Sequence, residues 1–152
     1  MQFAALTIFG FIGLEIFSYV LHRWVFHGVL WRIHKSHHLA TKGEFESNDI
    51  FSVIFGLSSI LLLVFAEHPL SESIAFPIGS GIAIFGIFYF IVHDIFTHRR
   101  FSPFGSGSKI LLTIRAAHQK HHQTADKQGI EPFGLFVFNF GKFWRKVVET
   151  KL

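Results

Sequence analysis

Ten of the eleven histidines fall into four clusters, and the clusters repeat. His22-Arg23-Trp24-Val25-Phe26-His27 holds two histidines five positions apart. His34-Lys35-Ser36-His37-His38 holds three, at i, i+3 and i+4. The same two patterns return as His93-Asp94-Ile95-Phe96-Thr97-His98 and His118-Gln119-Lys120-His121-His122. The copies are offset by 71 residues for the pair and 84 for the triplet, so the motif repeats and the surrounding sequence does not. Neutral imidazole is the commonest nitrogen ligand for zinc, iron and copper. Ten imidazoles are more than one ion can hold, and two ions with about five each is the simplest allocation. The chain contains no cysteine, which excludes disulfides, thiolate zinc sites, haem–thiolate ligation and iron–sulfur clusters.

Helical geometry sets what these spacings can do. On an α-helix the three residues of a triplet lie within an arc of about 100°, so their rings point one way. The two residues of a pair lie about 140° apart. They converge only if the site straddles a helix end, or if the second histidine reaches in from the other flank. His68 stands alone, away from the four clusters, and reads as a surface residue.

Acids and amides beside the clusters are the next candidates. A metal-bound imidazole usually donates its other N–H to a carboxylate or carbonyl. Asp94 directly follows His93, and Asn48-Asp49 opens the second apolar run at the same membrane level. Asn48, Asp49 and Asp94 are therefore candidates to orient the histidines, the alternatives being helix caps or surface acids. Glu15 precedes His22 by seven residues and so shares its helix face. An acid at membrane depth is a functional hypothesis by default; the alternative is a protonated carboxyl bonded to a neighbouring helix. No residue beyond the metal ligands stands out as catalytic.

The elements that must carry these residues are membrane helices. The 152 residues default to one domain, 1–152; half are hydrophobic and 16% charged, with a mean hydropathy of +0.42. Soluble domains carry roughly a quarter charged residues. Here 21 Phe, 3 Trp and 2 Tyr face only 10 acids, so the implied solvent is lipid. Apolar runs at 1–21, 50–66 and 74–92 predict about three transmembrane helices, since 20 or so residues at 1.5 Å each span a hydrocarbon core of about 30 Å. The first run lacks a basic leading segment and is long for a signal peptide, so it reads as a retained anchor. Residues 67–73 form a polar turn that makes the second and third runs a helical hairpin.

Of the 14 Lys and Arg, four (Arg23, Arg32, Lys35, Lys42) lie between the first and second runs, and ten, from Arg99 to Lys151, follow the third. By the positive-inside rule, the histidine-rich segments 22–49 and 93–132 and the tail 133–152 are cytoplasmic, with the N-terminus opposite. The formal charge of +4 is then a basic membrane rim, and no nucleic-acid motif accompanies it. Tyr19, Trp24, Trp31 and Trp144 read as interface anchors. The stretch 110–117 reads as a short helix leading into His118. The tail over 133–148 mixes Phe, Leu, Val and Trp with Lys142, Arg145 and Lys146, as an interfacial amphipathic segment would. The expected fold class is all-α: an integral membrane bundle with a histidine-rich cytoplasmic cap.

A site made only of histidine leaves open coordination positions among neutral nitrogen donors. Iron there can activate O2; zinc there would be structural or hydrolytic, and the intrinsic affinity order favours zinc over ferrous iron. A transporter would instead carry its ligands near the bilayer midplane. The residues alone leave these classes open.

The pattern resembles the membrane-bound fatty acid hydroxylase superfamily, and within it the β-carotene 3-hydroxylase branch. The likeness runs from about Glu15 to Phe136. It is carried by His22-x4-His27, Leu30-Trp31-x2-His34-x2-His37-His38, Lys42-Gly43-x-Phe45-Glu46-x-Asn48-Asp49, Val92-His93-Asp94-x3-His98, Ala117-His118-x2-His121-His122 and Pro132-Phe133-Gly134-Leu135-Phe136. Ile95, Phe96 and Thr97 depart from that family's usual glycine and Leu-Val at these places.

The resemblance implies a non-haem di-iron monooxygenase with His22, His27, His34, His37, His38, His93, His98, His118, His121 and His122 as ligands. It implies O2 as co-substrate and C3 of the β-ionone rings of β-carotene as target, giving β-cryptoxanthin and zeaxanthin. Zinc can replace the two irons in a purified sample. Electrons would come through a ferredoxin-type donor with its own reductase, since the chain shows no nucleotide-binding glycine motif. An apolar carotenoid would arrive laterally from the membrane lipid. The alternatives are hydroxylation or desaturation of another lipid (fatty acyl, sterol or other carotenoid), or a non-enzymatic metal-binding membrane protein. No plastid-targeting segment precedes the first run, so the expected location is a bacterial inner membrane.

Overall fold

Helix α1, Gln2–Val20, has no proline and few side chains that compete for backbone hydrogen bonds. It does not stop where its apolar run stops. The chain continues as a π-helix over Leu21–Val29 until Gly28, at φ −109° and ψ −112°, breaks the helical path. Leu30 N–H then reaches back five residues to the Val25 carbonyl at 2.9 Å, and α2 follows over Trp31–His38. After α3 (Asp49–Val64), the pattern repeats: α4 (Ala75–Tyr89) passes directly into a second π-helix, Phe90–Thr97. Helices α5 (Lys109–His121) and α6 (Phe140–Glu149) complete the chain. The computed structural model describes residues 1–39, 43–101 and 103–149; Lys42 and Lys151, counted above among the basic residues, lie outside them. Among the described residues all regular structure is helical, as the all-α reading expects.

Two continuous helices are long and apolar enough to cross a membrane, Gln2–Val29 and Ala75–Thr97, at 28 and 23 residues. Both run beyond the ends that hydropathy alone gives, at 21 and 92, because the π-helical turns extend them. Helix α3 is apolar but shorter, at 16 residues. Large apolar side chains on all three point away from the protein, among them Ile8, Ile12, Ile54, Leu61, Ile87 and Phe88. A surface of that kind suits lipid rather than water.

The long helices pack through glycine. A Cβ on Gly10 would collide with the backbone of Ile78, and one on Gly81 with the backbone of Thr7 and Phe11. Helices α1 and α4 thus approach as closely as backbones allow, the small-residue mode of membrane helix association. Helix α3 joins α4 where the Ser59 hydroxyl donates to the Gly79 carbonyl at 2.9 Å. Between these contacts Phe11 packs edge-on against Phe85, with ring centroids 5.4 Å apart, and stacks with Phe136.

The tail departs from one amphipathic segment. Only Phe140–Glu149 is helical, while the preceding residues fold inward and bury Phe133 and Leu135. The cause is Glu15. Its Oε1 accepts the backbone N–H groups of Phe136 and Val137, each at 2.8 Å, in place of helical partners.

Candidate metal centre

The π-helices resolve the geometry of the histidine pairs. Hydrogen bonding from i to i+5 sets residues five apart above one another, where an α-helix would splay them. His98 N–H bonds to the His93 carbonyl in this way, at 2.9 Å. The rings of His93 and His98 lie 4.6 Å apart between centroids, and those of His22 and His27 lie 5.1 Å apart. Neither a straddled helix end nor a reach from the other flank is needed. A wider helical turn delivers both rings to one side.

Nine histidines form two groups that could each hold a metal ion. His22, His27, His34, His38 and His121 make one, and His37, His93, His98 and His118 the other; in each the ring nitrogens lie within 4.8 Å of one another. The triplets are divided between the groups. His34 and His38, one turn apart on α2, face the first group, while His37 faces the second. On α5, His121 and His118 separate likewise. His122 packs between the groups, its ring centroid 4.4 Å from that of His38 and 4.7 Å from that of His98.

The inner nitrogens face one another closely. Nε2–Nε2 distances are 2.9 Å for His22–His34, 3.2 Å for His34–His38, 3.1 Å for His37–His93 and 2.8 Å for His98–His118. Outward nitrogens are already committed. His22 Nδ1–H donates to the Phe133 carbonyl at 2.6 Å, His27 to Lys127 at 2.9 Å, His38 to Thr124 at 3.0 Å and His121 to Ile130 at 2.7 Å. A carbonyl can only accept, so the proton of each of these rings sits on Nδ1 and the Nε2 lone pair points inward. Lone pairs turned on one another in a buried space need a cation between them. The buried Nε2 of His122 likewise finds no partner among the described residues.

The electrostatics agree. Burial holds His34 and His121 neutral, lowering each to about 3, and drives His37 and His118 well below the ordinary histidine value. Unprotonated imidazole is the form that binds metal. The donor set therefore fits two ions of the kind that all-histidine sites take.

The groups that orient these rings differ in part from those singled out in the sequence. Asn48 Oδ1 accepts His34 Nδ1–H at 2.7 Å. Asp94 Oδ1 lies 3.4 Å from His93 Nδ1, which makes no hydrogen bond among the described residues. Asp49 touches no histidine and instead binds Arg100, with contacts of 2.9 and 2.6 Å. Glu15 meets the tail backbone, two steps removed from His22 through the Phe133 loop. Glu46, not singled out for this role, accepts His37 Nδ1–H at 2.7 Å. Burial pushes its carboxyl up to about 7, against the pull of Arg100. Gly129, at φ +61°, lets the 127–130 loop close over the site, since a Cβ there would press on the His27 ring at 2.7 Å.

A cavity of about 780 Å³ leads to this centre between α1, α3 and α4. Its walls include Leu14, Phe26, Phe51, Phe55, Gly56 and Gly86, and it reaches His22, His34, His37, His93 and His118. A smaller cavity of about 270 Å³, beside Thr97 and Gln119, touches His37, His38, His98, His118 and His122.

Helices long and apolar enough to cross a membrane, ending in two histidine groups that could each hold a metal ion, define the class among the described residues. The chain belongs to the fatty acid hydroxylase family, whose model matches residues 7–150. Among curated proteins it is 39% identical over 137 residues to beta-carotene hydroxylase 1, chloroplastic, of Capsicum annuum, covering 88% of this chain and 42% of that protein. It is equally similar to beta-carotene 3-hydroxylase 1, chloroplastic, of Arabidopsis thaliana, covering 43% of that protein. With the beta-carotene hydroxylase of Pantoea ananas it shares 37% identity over 129 residues, covering 82% of this chain and 70% of that protein. The chain thus spans about two fifths of the plant relatives' length. No solved structure matches it.

Proposed function

We propose that this protein is a non-haem di-iron monooxygenase that hydroxylates C3 of the β-ionone rings of β-carotene, giving β-cryptoxanthin and then zeaxanthin. The observation that carries this reading is the meeting of two histidine groups with a largely apolar cavity of about 780 Å³. The relatives named for β-carotene hydroxylation supply the substrate class.

In this reading His22, His27, His34, His38 and His121 hold one iron, and His37, His93, His98 and His118 hold the other, with His122 beside both. Bound iron supplies the O2 activation for which the polypeptide has no group of its own. The chain's part is to bind, orient and exclude water. Phe26, Phe51 and Phe55 line an apolar channel that accepts a rigid hydrocarbon and leaves its ring against the histidines. Most of the walls are apolar and the histidines gather at one part of the lining, so the channel favours a largely apolar substrate. Because the cavity lies between α1, α3 and α4, an apolar substrate reaches it laterally from the bilayer.

The chain is a single membrane domain with three crossings, by α1, α3 and α4. The distribution of basic residues supports a cytoplasmic histidine cap, and in this reading the membrane is a bacterial inner membrane. A ferredoxin-type donor served by its own reductase delivers electrons there. Expression in a β-carotene-accumulating bacterial host, followed by chromatography of the pigments, tests the assignment. Zeaxanthin and β-cryptoxanthin are the expected products. Unmodified β-carotene alongside abundant metal-loaded protein would refute the substrate.

A further inference from the structure

The two metal positions are surrounded by different charges. Around the five-histidine group every outward ring N–H ends on a neutral acceptor: the carbonyls of Phe133, Lys127, Thr124 and Ile130, and the Asn48 amide. Around the four-histidine group two rings face carboxylates, His37 toward Glu46 at 2.7 Å and His93 toward Asp94 at 3.4 Å.

Those carboxylates share one owner. Arg100 Nη1 lies 2.7 Å from Asp94 Oδ1 and 3.3 Å from Glu46 Oε1, and its fork takes both oxygens of Asp49. Nε donates in addition to the Glu44 carbonyl at 3.0 Å. One guanidinium thus ties the loop before α3 to the second π-helix, and it can do so because it offers five donors in a fixed plane. The backbone is bent to aim it. Arg99 and Phe101, on either side, hold φ of +58° and +54°, a region that non-glycine residues rarely occupy. Arg100 N–H returns to the Asp94 carbonyl at 2.9 Å. Three carboxyl groups, Glu46, Asp49 and Asp94, meet this one guanidinium on one side of the cage only.

We propose that Arg100 is a positioning residue that holds the Glu46 carboxyl as the acceptor for His37 and sets Asp94 beside His93, making the four-histidine position the stronger donor site of an unequal pair. This rests on the reading that the histidines cage two ions. A carboxylate behind an imidazole raises its basicity as a ligand, and removing such a partner typically costs 10- to 100-fold in metal affinity. The stronger site takes metal first and favours the higher oxidation state of iron.

The test is a cobalt(II) titration of the full chain, purified in detergent and stripped with chelator, followed by absorbance. Wild type binds two ions with separate affinities. Glu46→Gln keeps an acceptor oxygen and removes the charge; it weakens the tighter ion about 10- to 100-fold and leaves the weaker within about twofold. Arg100→Gln acts on the same ion, whereas Asn48→Ala weakens the other. In iron-57-loaded protein, Mössbauer spectra show two doublets, of which Glu46→Gln moves one. If Glu46→Gln weakens both ions equally, or neither, the inference is overturned, whether or not Arg100→Gln folds. Fewer than two ions on wild type would overturn the cage itself, a failure distinguished by appearing before any substitution.

Discussion

His27 and His121 face each other with their Nε2 atoms 3.2 Å apart, while their Nδ1–H groups are spent on the carbonyls of Lys127 and Ile130. No proton is left to lie between the two nitrogens, so the pair is stable only around a cation. His121→Ala should therefore release one of two metal ions and lower hydroxylation at least about 100-fold, the upper range for groups that support a metal site. Elemental analysis of the purified variant beside wild type, with the pigment assay, checks both effects.

The channel should be separable from the metal. A Cβ on Gly56 or Gly86 would meet no atom within 4 Å, and both positions line the large cavity. Gly56→Phe and Gly86→Leu should fold and keep their full metal content while losing most activity on β-carotene. Equal metal content with lost turnover is the expected pair of readings; unchanged turnover in both variants would remove this cavity as the substrate channel.

Glu15 should prove structural. It is 3% exposed and its Oε1 serves two backbone N–H groups of the loop that carries Phe133. Glu15→Ala leaves both donors unpaired, at a cost of about 2 to 5 kcal/mol. Glu15→Gln keeps an acceptor oxygen and should lose far less. Thermal unfolding in detergent compares them, and an Ala variant as stable as the Gln variant would show that the loop has other support.

Much of this was readable from spacing. The triplets at i, i+3 and i+4 announce a shared helix face, although their rings do not all point one way but divide between the two groups, and the apolar runs announce the helices that carry them. Other features depend on tertiary structure. A five-residue spacing is inefficient on an α-helix, and nothing local in Leu21–Val29 or Phe90–Thr97 signals that the backbone widens to a π-helix there. Four of the acceptors that orient the rings are backbone carbonyls, which carry no side-chain signature. Arg100 resembled one more basic residue of a membrane rim, because its three carboxylate partners come from two segments far apart in the chain. Glu46 stood in plain sight within the Glu46-x-Asn48-Asp49 run, and its role emerges only once His37 is seen beside it.

Acid should weaken the metal-free protein. In the folded chain burial lowers His34 and His121 to about 3, against 6.5 for ordinary histidine. Below pH 6.5 the unfolded chain takes up protons that the folded chain refuses, so the stability present above that pH is lost as pH falls toward 3. Unfolding temperatures of chelator-stripped protein should be level from pH 8 to about 7 and decline steadily below about 6.5. A midpoint that rises on acidification would contradict the neutral cage.

The most direct measurement is the number and position of metal ions on the purified full-length chain, by anomalous scattering at the iron edge from crystals grown in lipid. Two peaks are predicted, one within the His22, His27, His34, His38 and His121 group and one within the His37, His93, His98 and His118 group. A single peak, or metal bound away from these nine rings, would contradict the account.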